Sequence, residues 1–143
     1  MASPEEVIAD ERTIQNFIPQ RPPMVMVGKL LSVSGNKTVT SFMIREDNLF
    51  CSGNIFREPG LIENIAQTAA AGEGYRASLE GKRPRPGFIG GIKNLHIHDL
   101  PKINEEIVTE TTIEYEVMNA TIILGKIFNN QVIIAECEMK VFF

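Results

Sequence analysis

The chain has 143 residues, 43% of them hydrophobic and 22% charged, and a formal net charge of −4. That length suits one domain, spanning 1–143, with a core large enough to need neither disulfides nor a metal. The acidic balance argues against nucleic-acid binding, and no apolar run approaches the roughly 20 residues of a membrane span.

Met1 to Asp10 holds three acidic residues, and no basic one precedes Arg12, which is not the pattern of a secretory leader, and a cytoplasmic location is the default expectation. Two cysteines, Cys51 and Cys137, form neither a disulfide framework nor a zinc pattern. Cys137 falls on the apolar side of a strand pattern and reads as a buried free thiol. Cys51 lies in a loop, where a reactive thiol is the minor alternative.

In chain order, Pro4 to Phe17 predicts a short amphipathic helix, with Ser3 as cap and Val7, Ile8, Ile14 and Phe17 as its apolar stripe. Pro19 stops it, and Pro22-Pro23 imposes an extended connector. Met24 to Val33 and Lys37 to Ile44 predict two strands joined at a Gly35-Asn36 turn. Glu46 to Glu58 reads as irregular. A helix follows from about Pro59 to Leu79, weakened by Gly72 and Gly74, and then a loop from Gly81 to Gly87. Phe88 to His98 is a strand in which Gly90-Gly91 suggests a bulge. Ile107 to Val117 alternates, with Ile107, Ile113, Tyr115 and Val117 on one side and Glu110, Glu114 and Glu116 on the other. Ala120 to Phe128 and Val132 to Phe142 flank Asn129-Asn130, a type I′ turn pair.

The helix Pro59-Gly60-Leu61-Ile62-Glu63-Asn64-Ile65-Ala66-Gln67 is apolar or small on most sides yet carries a carboxylate near its start. Burying an ionised carboxylate costs on the order of several kcal/mol unless it is paired or protonated. Glu63 and Gln67 are four apart and share a face. A helix apolar nearly all round must be enclosed. The economical enclosure is a curved antiparallel β-sheet wrapped around one long central helix, an α+β architecture.

That topology, with three segments, resembles the hotdog-fold β-hydroxyacyl-acyl carrier protein dehydratases. Phe17-Ile18-Pro19-Gln20-Arg21-Pro22-Pro23 resembles the family's leucine-proline-histidine-arginine motif, with Gln20 in place of the histidine. Pro59-Gly60 through Glu63 and Ala66-Gln67 resembles the signature of the central helix. Phe88-Ile89-Gly90-Gly91-Ile92 through Glu105 resembles the glycine-isoleucine strand and the turn after it, with Asn104 at a usual glycine.

The resemblance implies a 3-hydroxyacyl-thioester dehydratase, working without cofactor or metal on an acyl carrier protein or coenzyme A thioester. It also implies a homodimer or dimer-based oligomer with sites across the interface. In the family a loop histidine removes the α-proton, the helix carboxylate protonates the departing hydroxyl, and N–H groups at the helix start hold the thioester carbonyl. By position Glu63 matches the acid, and Gly60 or Leu61 the N–H donors. Gln67 is either an orienting partner of Glu63 or a packed amide. Asn54 stands where the histidine should, in a shortened loop, and its amide cannot take a proton; loss of the base costs factors of about 10²–10⁴. Asn54 is therefore either a catalytic residue that orients a water or thioester, or an ordinary loop residue.

The acyl chain is expected along the central helix beside Gly60, Leu61, Ile62, Ile65, Phe88, Ile89, Gly90 and Ile92. Arg21, Lys82, Arg83 and Arg85 form a basic concentration suited to docking an acidic carrier protein or a phosphate, the alternative being a solvated loop. His96 and His98 share a strand face with Asn94 but have no third ligand at metal-binding spacing. Two other functions stay open: thioester hydrolysis with the helix carboxylate as base, and a non-catalytic subunit paired with a second hotdog chain, as in divergent dehydratase-like proteins of polyene or pigment synthesis.

Overall fold

The structure, a computed structural model, describes residues 7–143. A 3-10 turn (Ile14–Asn16) is followed by β1 (Lys29–Ser34), β2 (Lys37–Met43), β3 (Cys51–Ser52), β4 (Ile55–Phe56) and the helix α1 (Glu58–Leu79). Four long strands complete the chain: β5 (Phe88–Ile97), β6 (Glu106–Val117), β7 (Ala120–Asn129) and β8 (Val132–Phe142). Six strands form one antiparallel sheet in the order β1-β2-β6-β7-β8-β5, and β3 and β4 pair separately. Strands β1, β2, β6, β7 and β8 all lie against α1, which is the expected hotdog arrangement.

Small residues make that enclosure possible. Ala69, Ala70 and Ala71 are buried along α1, and Leu61 and Ile65 enter a core with Met26, Ile44, Phe56, Ile107, Ile123, Ile127 and Met139. Gly72 and Gly74 do not weaken the helix, which runs unbroken through both. They let it approach its neighbours: a Cβ on Gly72 would strike the Thr38 side chain, and one on Gly74 the carbonyl of Phe17.

The N-terminal expectation is partly overturned. Residues 1–6 of the expected helix, with its Ser3 cap, lie outside the described residues. From Val7 onward there is only the 3-10 turn, because other partners claim the backbone. Ile8 and Ala9 donate to the Leu30 carbonyl, and Ala9 bridges to Leu30 as an added edge strand. Asp10 then restarts the chain as a turn: its Oδ1 accepts from the N–H groups of Arg12 and Thr13 at 2.9 and 3.1 Å, a local competition that polar side chains win over helix. Those bonds, the Arg12 N–H foremost, hold its carboxyl below the usual range.

Three further differences are local. The segment read as irregular contains the β3–β4 hairpin, turning at Gly53 and Asn54. The two-residue turn between β7 and β8 is Asn130-Gln131, not Asn129-Asn130: Asn129 pairs with Val132, and both turn residues have positive φ (51° and 68°). In β6 the alternation fails beyond Ile113. A bulge there pairs Ile113 with Ile123 but Tyr115 with Ile122, so Glu114 is an extra residue and the faces exchange. Tyr115 and Val117 consequently stand exposed. The bulge foreseen at Gly90-Gly91 is present, and a second falls between Lys93 and His96.

Candidate functional site: the carboxylate cavity beside the central helix

Arg57 caps α1 in an extended conformation, and Pro59 occupies the first turn, where its missing N–H costs nothing. Glu63 follows one turn in, half-buried. Its Oε2 accepts a hydrogen bond of 2.9 Å from Gln67 Nε2. The orientation of Gln67 is fixed by the rest of its bonds. Its Oε1 accepts from the Met26 N–H at 2.6 Å, and Nε2 also donates to the Met24 carbonyl at 2.8 Å. With the oxygen committed to a backbone donor, the nitrogen must face Glu63. Gln67 thus fills both roles open to it, orienting partner and packed amide.

Asn64 is the residue that sequence reasoning missed. It is fully buried, donates through Nδ2 to the Met26 carbonyl at 2.7 Å, and accepts a short bond from Thr109 Oγ1. Thr68 continues the seam, donating to the Asn64 carbonyl at 2.8 Å and sharing a 2.7 Å bond with Thr40. The available signal was the run of polar residues Glu63, Asn64, Gln67 and Thr68 at helical spacing inside an apolar helix.

Glu63 lies on the wall of a cavity of about 290 Å³. One wall is the α1 face of Glu63, Ala66 and Ala70 together with Gln20 of the connector. The other is the start of β5 (Gly87, Phe88, Ile89) and the end of β8 (Val141, Phe143). Among the described lining side chains Glu63 alone is titratable. Phe88 is 68% exposed, so the cavity opens at the outer edge of the sheet, where β5 pairs only with β8.

The expected substrate residues divide. Phe88 and Ile89 line the cavity. Leu61 and Ile65 are core residues, and Ile62 packs against that core. Gly60 is buried under the ring of Phe56. The N–H groups of Gly60 and Leu61 already donate to the Arg57 carbonyl, at 2.9 and 3.4 Å, so in this conformation the helix spends them on its own first turn. Gly90 borders a different hollow, with Tyr115 and Val117, while Ile92, paired with the buried Met139 after the bulge, packs against the core and does not line the Glu63 cavity.

Asn54 is at the exposed hairpin tip, where its carbonyl accepts from the Ile103 N–H at 2.9 Å. Within one chain it does not line the Glu63 cavity.

The basic residues are partly engaged. Arg21 Nη1 donates to the carbonyls of Ile18 and Gln20 at 2.8 and 2.7 Å. Arg85 pairs with Glu73, and Lys82 lies 3.5 Å from Glu80. Among the described residues Arg83 has no ion pair. His96 and His98 stack with ring centroids 6.3 Å apart, and His98 Nε2 is 3.5 Å from Glu136. Cys137 is buried, which pushes its thiol up to about 11. Cys51 is shifted upward too, by burial and by the nearby Asp47 carboxylate; this is the opposite of an activated thiol. No helix among the described residues is long and apolar enough to cross a membrane.

Comparison with known proteins adds a family to this geometry. Residues 12–143 match the ApeP-like family, described as ApeP dehydratase. Among curated proteins none matches the sequence. Similar solved structures include the dehydratase heterocomplex ApeI:P from Xenorhabdus doucetiae, at 14% identity and a TM-score of 0.79, covering 90% of this chain and 89% of that one. The E. coli PaaI protein from the phenylacetic acid degradation operon is 9% identical with a TM-score of 0.61, over 80% of this chain and 81% of that one. A hypothetical thioesterase from Streptococcus pneumoniae, solved with coenzyme A, is 7% identical with a TM-score of 0.63, over 79% and 82%. At such identities these structures support the fold alone.

Proposed function

The chain belongs to the ApeP-like dehydratase family, and we propose that it is a dehydratase-type subunit holding a 3-hydroxyacyl thioester in the cavity beside Glu63. The observation that carries this reading is a half-buried carboxylate, one oxygen held by Gln67, on the wall of a cavity lined mostly by apolar and small residues. Dehydration needs a base to take the α-proton and an acid to protonate the oxygen that leaves carbon 3. Glu63 in its acid form supplies the second proton; the C3–O bond breaks, water departs, and the C2–C3 double bond forms. Both groups then reset through solvent.

In this reading the base comes from outside this chain's own cavity, since Asn54 cannot accept a proton and Glu63 is the one titratable side chain among the described lining residues. A second hotdog subunit, laid along the open β5 edge, is the source we favour. The exposed apolar side chains Phe88, Ile89 and Leu95 along that edge support it, as does the assembly of the Xenorhabdus ApeI:P proteins as a heterocomplex. The carrier protein or coenzyme A carrying the acyl group would meet the loop of Lys82, Arg83 and Arg85, of which Arg83 has no ion pair among the described residues.

A carboxylate without a histidine also favours a second reading, hydrolysis of the thioester with Glu63 as base for water. Product mass separates the two. The purified chain, alone and with a co-expressed hotdog partner, is incubated with a C4–C12 series of 3-hydroxyacyl and acyl thioesters. Enoyl thioester formation that is lost in Glu63→Gln supports dehydration here; free acid and thiol support hydrolysis. Dehydration untouched by Glu63→Gln overturns the assignment of this cavity.

A further inference from the structure

By turning Tyr115 and Val117 away from α1, the bulge at Glu114 builds a hollow on the outer face of the sheet. The strand register lays out its floor in two rows. Tyr115 pairs with Ile122, Ile122 with Lys140 and Lys140 with Gly91; beyond them Val117 pairs with Ala120 and Ala120 with Phe142. Met139 and Val141, which alternate with these β8 residues, belong to the core, so Lys140 and Phe142 face outward. The hollow measures about 560 Å³, against about 290 Å³ for the Glu63 cavity. Two glycines keep it open. A Cβ on Gly90 would strike the Phe142 ring, and one on Gly91 would meet nothing within 4 Å.

Charge is unevenly placed around this apolar floor. Lys93 and Lys140 border it as diagonal neighbours across β5 and β8, a spacing from which long side chains can converge on one group. Glu138, opposite Lys93, is the one carboxylate among the described lining residues. Two lysines against one glutamate leave an excess positive charge in a chain of net −4. Among the described residues neither lysine is in an ion pair. The lysines lie toward the middle of the sheet, whereas Val117, Ala120 and Phe142 lie at its β6–β7 turn end. The hollow is thus cationic at one end and apolar at the other.

We propose that this hollow is a second ligand site, for a medium-chain aliphatic carboxylate. Lys93 and Lys140 hold the head, and the tail lies over Ile122 toward Val117 and Phe142. Mostly apolar walls with a few convergent polar groups are the make-up of small-molecule sites, and the volume falls in their range. Burial of the tail supplies the affinity, and the two ammonium groups fix its direction. The Glu63 cavity does not compete for this ligand, because its carboxylate repels another. A second copy of the chain fits less well, since two such faces would bring the same uncompensated lysines together. The site stands apart from the chemistry assigned to Glu63.

The test is calorimetry on the full chain with sodium alkanoates and matched n-alkanols of about eight to twelve carbons, kept below micelle formation. In the Lys93→Gln/Lys140→Gln double variant we expect alkanoate binding to weaken about fivefold or more and alkanol binding to stay unchanged. Both lysines are exposed, so the double variant does not put folding at risk. Gly91→Leu, which fills the open floor, should abolish alkanoate binding, with its denaturant midpoint measured alongside. Glu63→Gln should leave the alkanoate affinity as it is. No alkanoate binding by the wild type, or an affinity unmoved by the lysine variant or by Gly91→Leu, overturns the site. Alkanoate binding that strengthens in Glu63→Gln places the ligand in the other cavity and overturns it too. So does self-association, seen by light scattering, that Gly91→Leu abolishes, because the hollow would then belong to a second copy.

Discussion

Gln67 holds Glu63 and the backbone of Met26 at the same time, giving its nitrogen to the carboxylate at 2.9 Å and its oxygen to the N–H at 2.6 Å. The amide cannot flip without breaking the second bond, so the packing of the connector against α1 sets the direction of the carboxylate. Gln67→Leu removes both at once. It leaves the Met26 N–H buried without an acceptor, a loss of about 1–3 kcal/mol, visible as a lower guanidinium midpoint. Activity should fall by about tenfold or more beyond what stability explains, because the carboxylate proposed as the acid loses its aim. A variant equally stable and equally active would show that the bond is incidental.

Asn64 tests the same seam one step further from the cavity. Its side chain spans the Met26 carbonyl and Thr109, and among the described residues neither has another side-chain partner. Asn64→Leu strands two buried groups, and we expect it to cost more than Gln67→Leu, on the order of 2–4 kcal/mol. Pairing it with Thr109→Val should recover part of that loss, since removing both partners costs less than removing one. Additive losses in the double variant would contradict the network.

Much of this was legible in the sequence because it depends on local chemistry. The helix bounds, the Gly35-Asn36 turn and the long strands follow from capping, turn residues and alternation, and the structure keeps them within a residue or two, apart from the first strand, which begins at Lys29 rather than Met24. What escaped depends on pairing between distant segments. The residues before the turn at Ile14 become a bridge to Leu30 only because β1 is beside them. The exposure of Tyr115 follows from a bulge at Glu114 that no periodicity reveals. In the site, Glu63 and Gln67 were visible as an i, i+4 pair. Asn64 drew no notice, because its meaning comes from which buried groups it satisfies.

Gly74 gives a stability prediction with an internal control. A Cβ there would collide with the Phe17 carbonyl, and rigid backbone cannot yield as a side-chain tip can. Gly74→Ala should therefore destabilise by about 1–3 kcal/mol despite the higher helix propensity of alanine. At Gly91 nothing lies within 4 Å of the added atom. Gly91→Ala should stay within about 0.5 kcal/mol of the parent. The comparison is made from denaturant midpoints; a stabilised Gly74→Ala would mean that α1 can slide away from the connector.

The β5 edge offers unpaired backbone along a strand whose residues are almost all exposed. Such edges are protected in native proteins, and β5 carries apolar side chains there that an isolated surface strand would not keep. Leu95→Lys should leave the thermal transition near its parent value while lowering the mass measured by light scattering, or abolishing co-purification with a hotdog partner. Assembly unaffected by Leu95→Lys would move the interface elsewhere on the molecule.

Cys137 and Cys51 differ in reactivity for a reason that pH can expose. Burial raises the Cys137 thiol from 9.0 to about 11, so the folded chain holds that proton more tightly than the unfolded one. The associated stability is fully present below pH 9 and is lost as pH rises through 9 toward 11. Cys137→Ala should flatten this alkaline decline, at the cost of a small cavity. At pH 8 a disulfide-exchange reagent should modify the native chain at Cys51 alone, and slowly, because its shift is also upward. Labelling of Cys137 should appear only with denaturant and track the unfolded fraction. Rapid labelling of Cys137 in the native chain would mean that β8 opens locally, and with it the wall of the Glu63 cavity that Val141 and Phe143 provide.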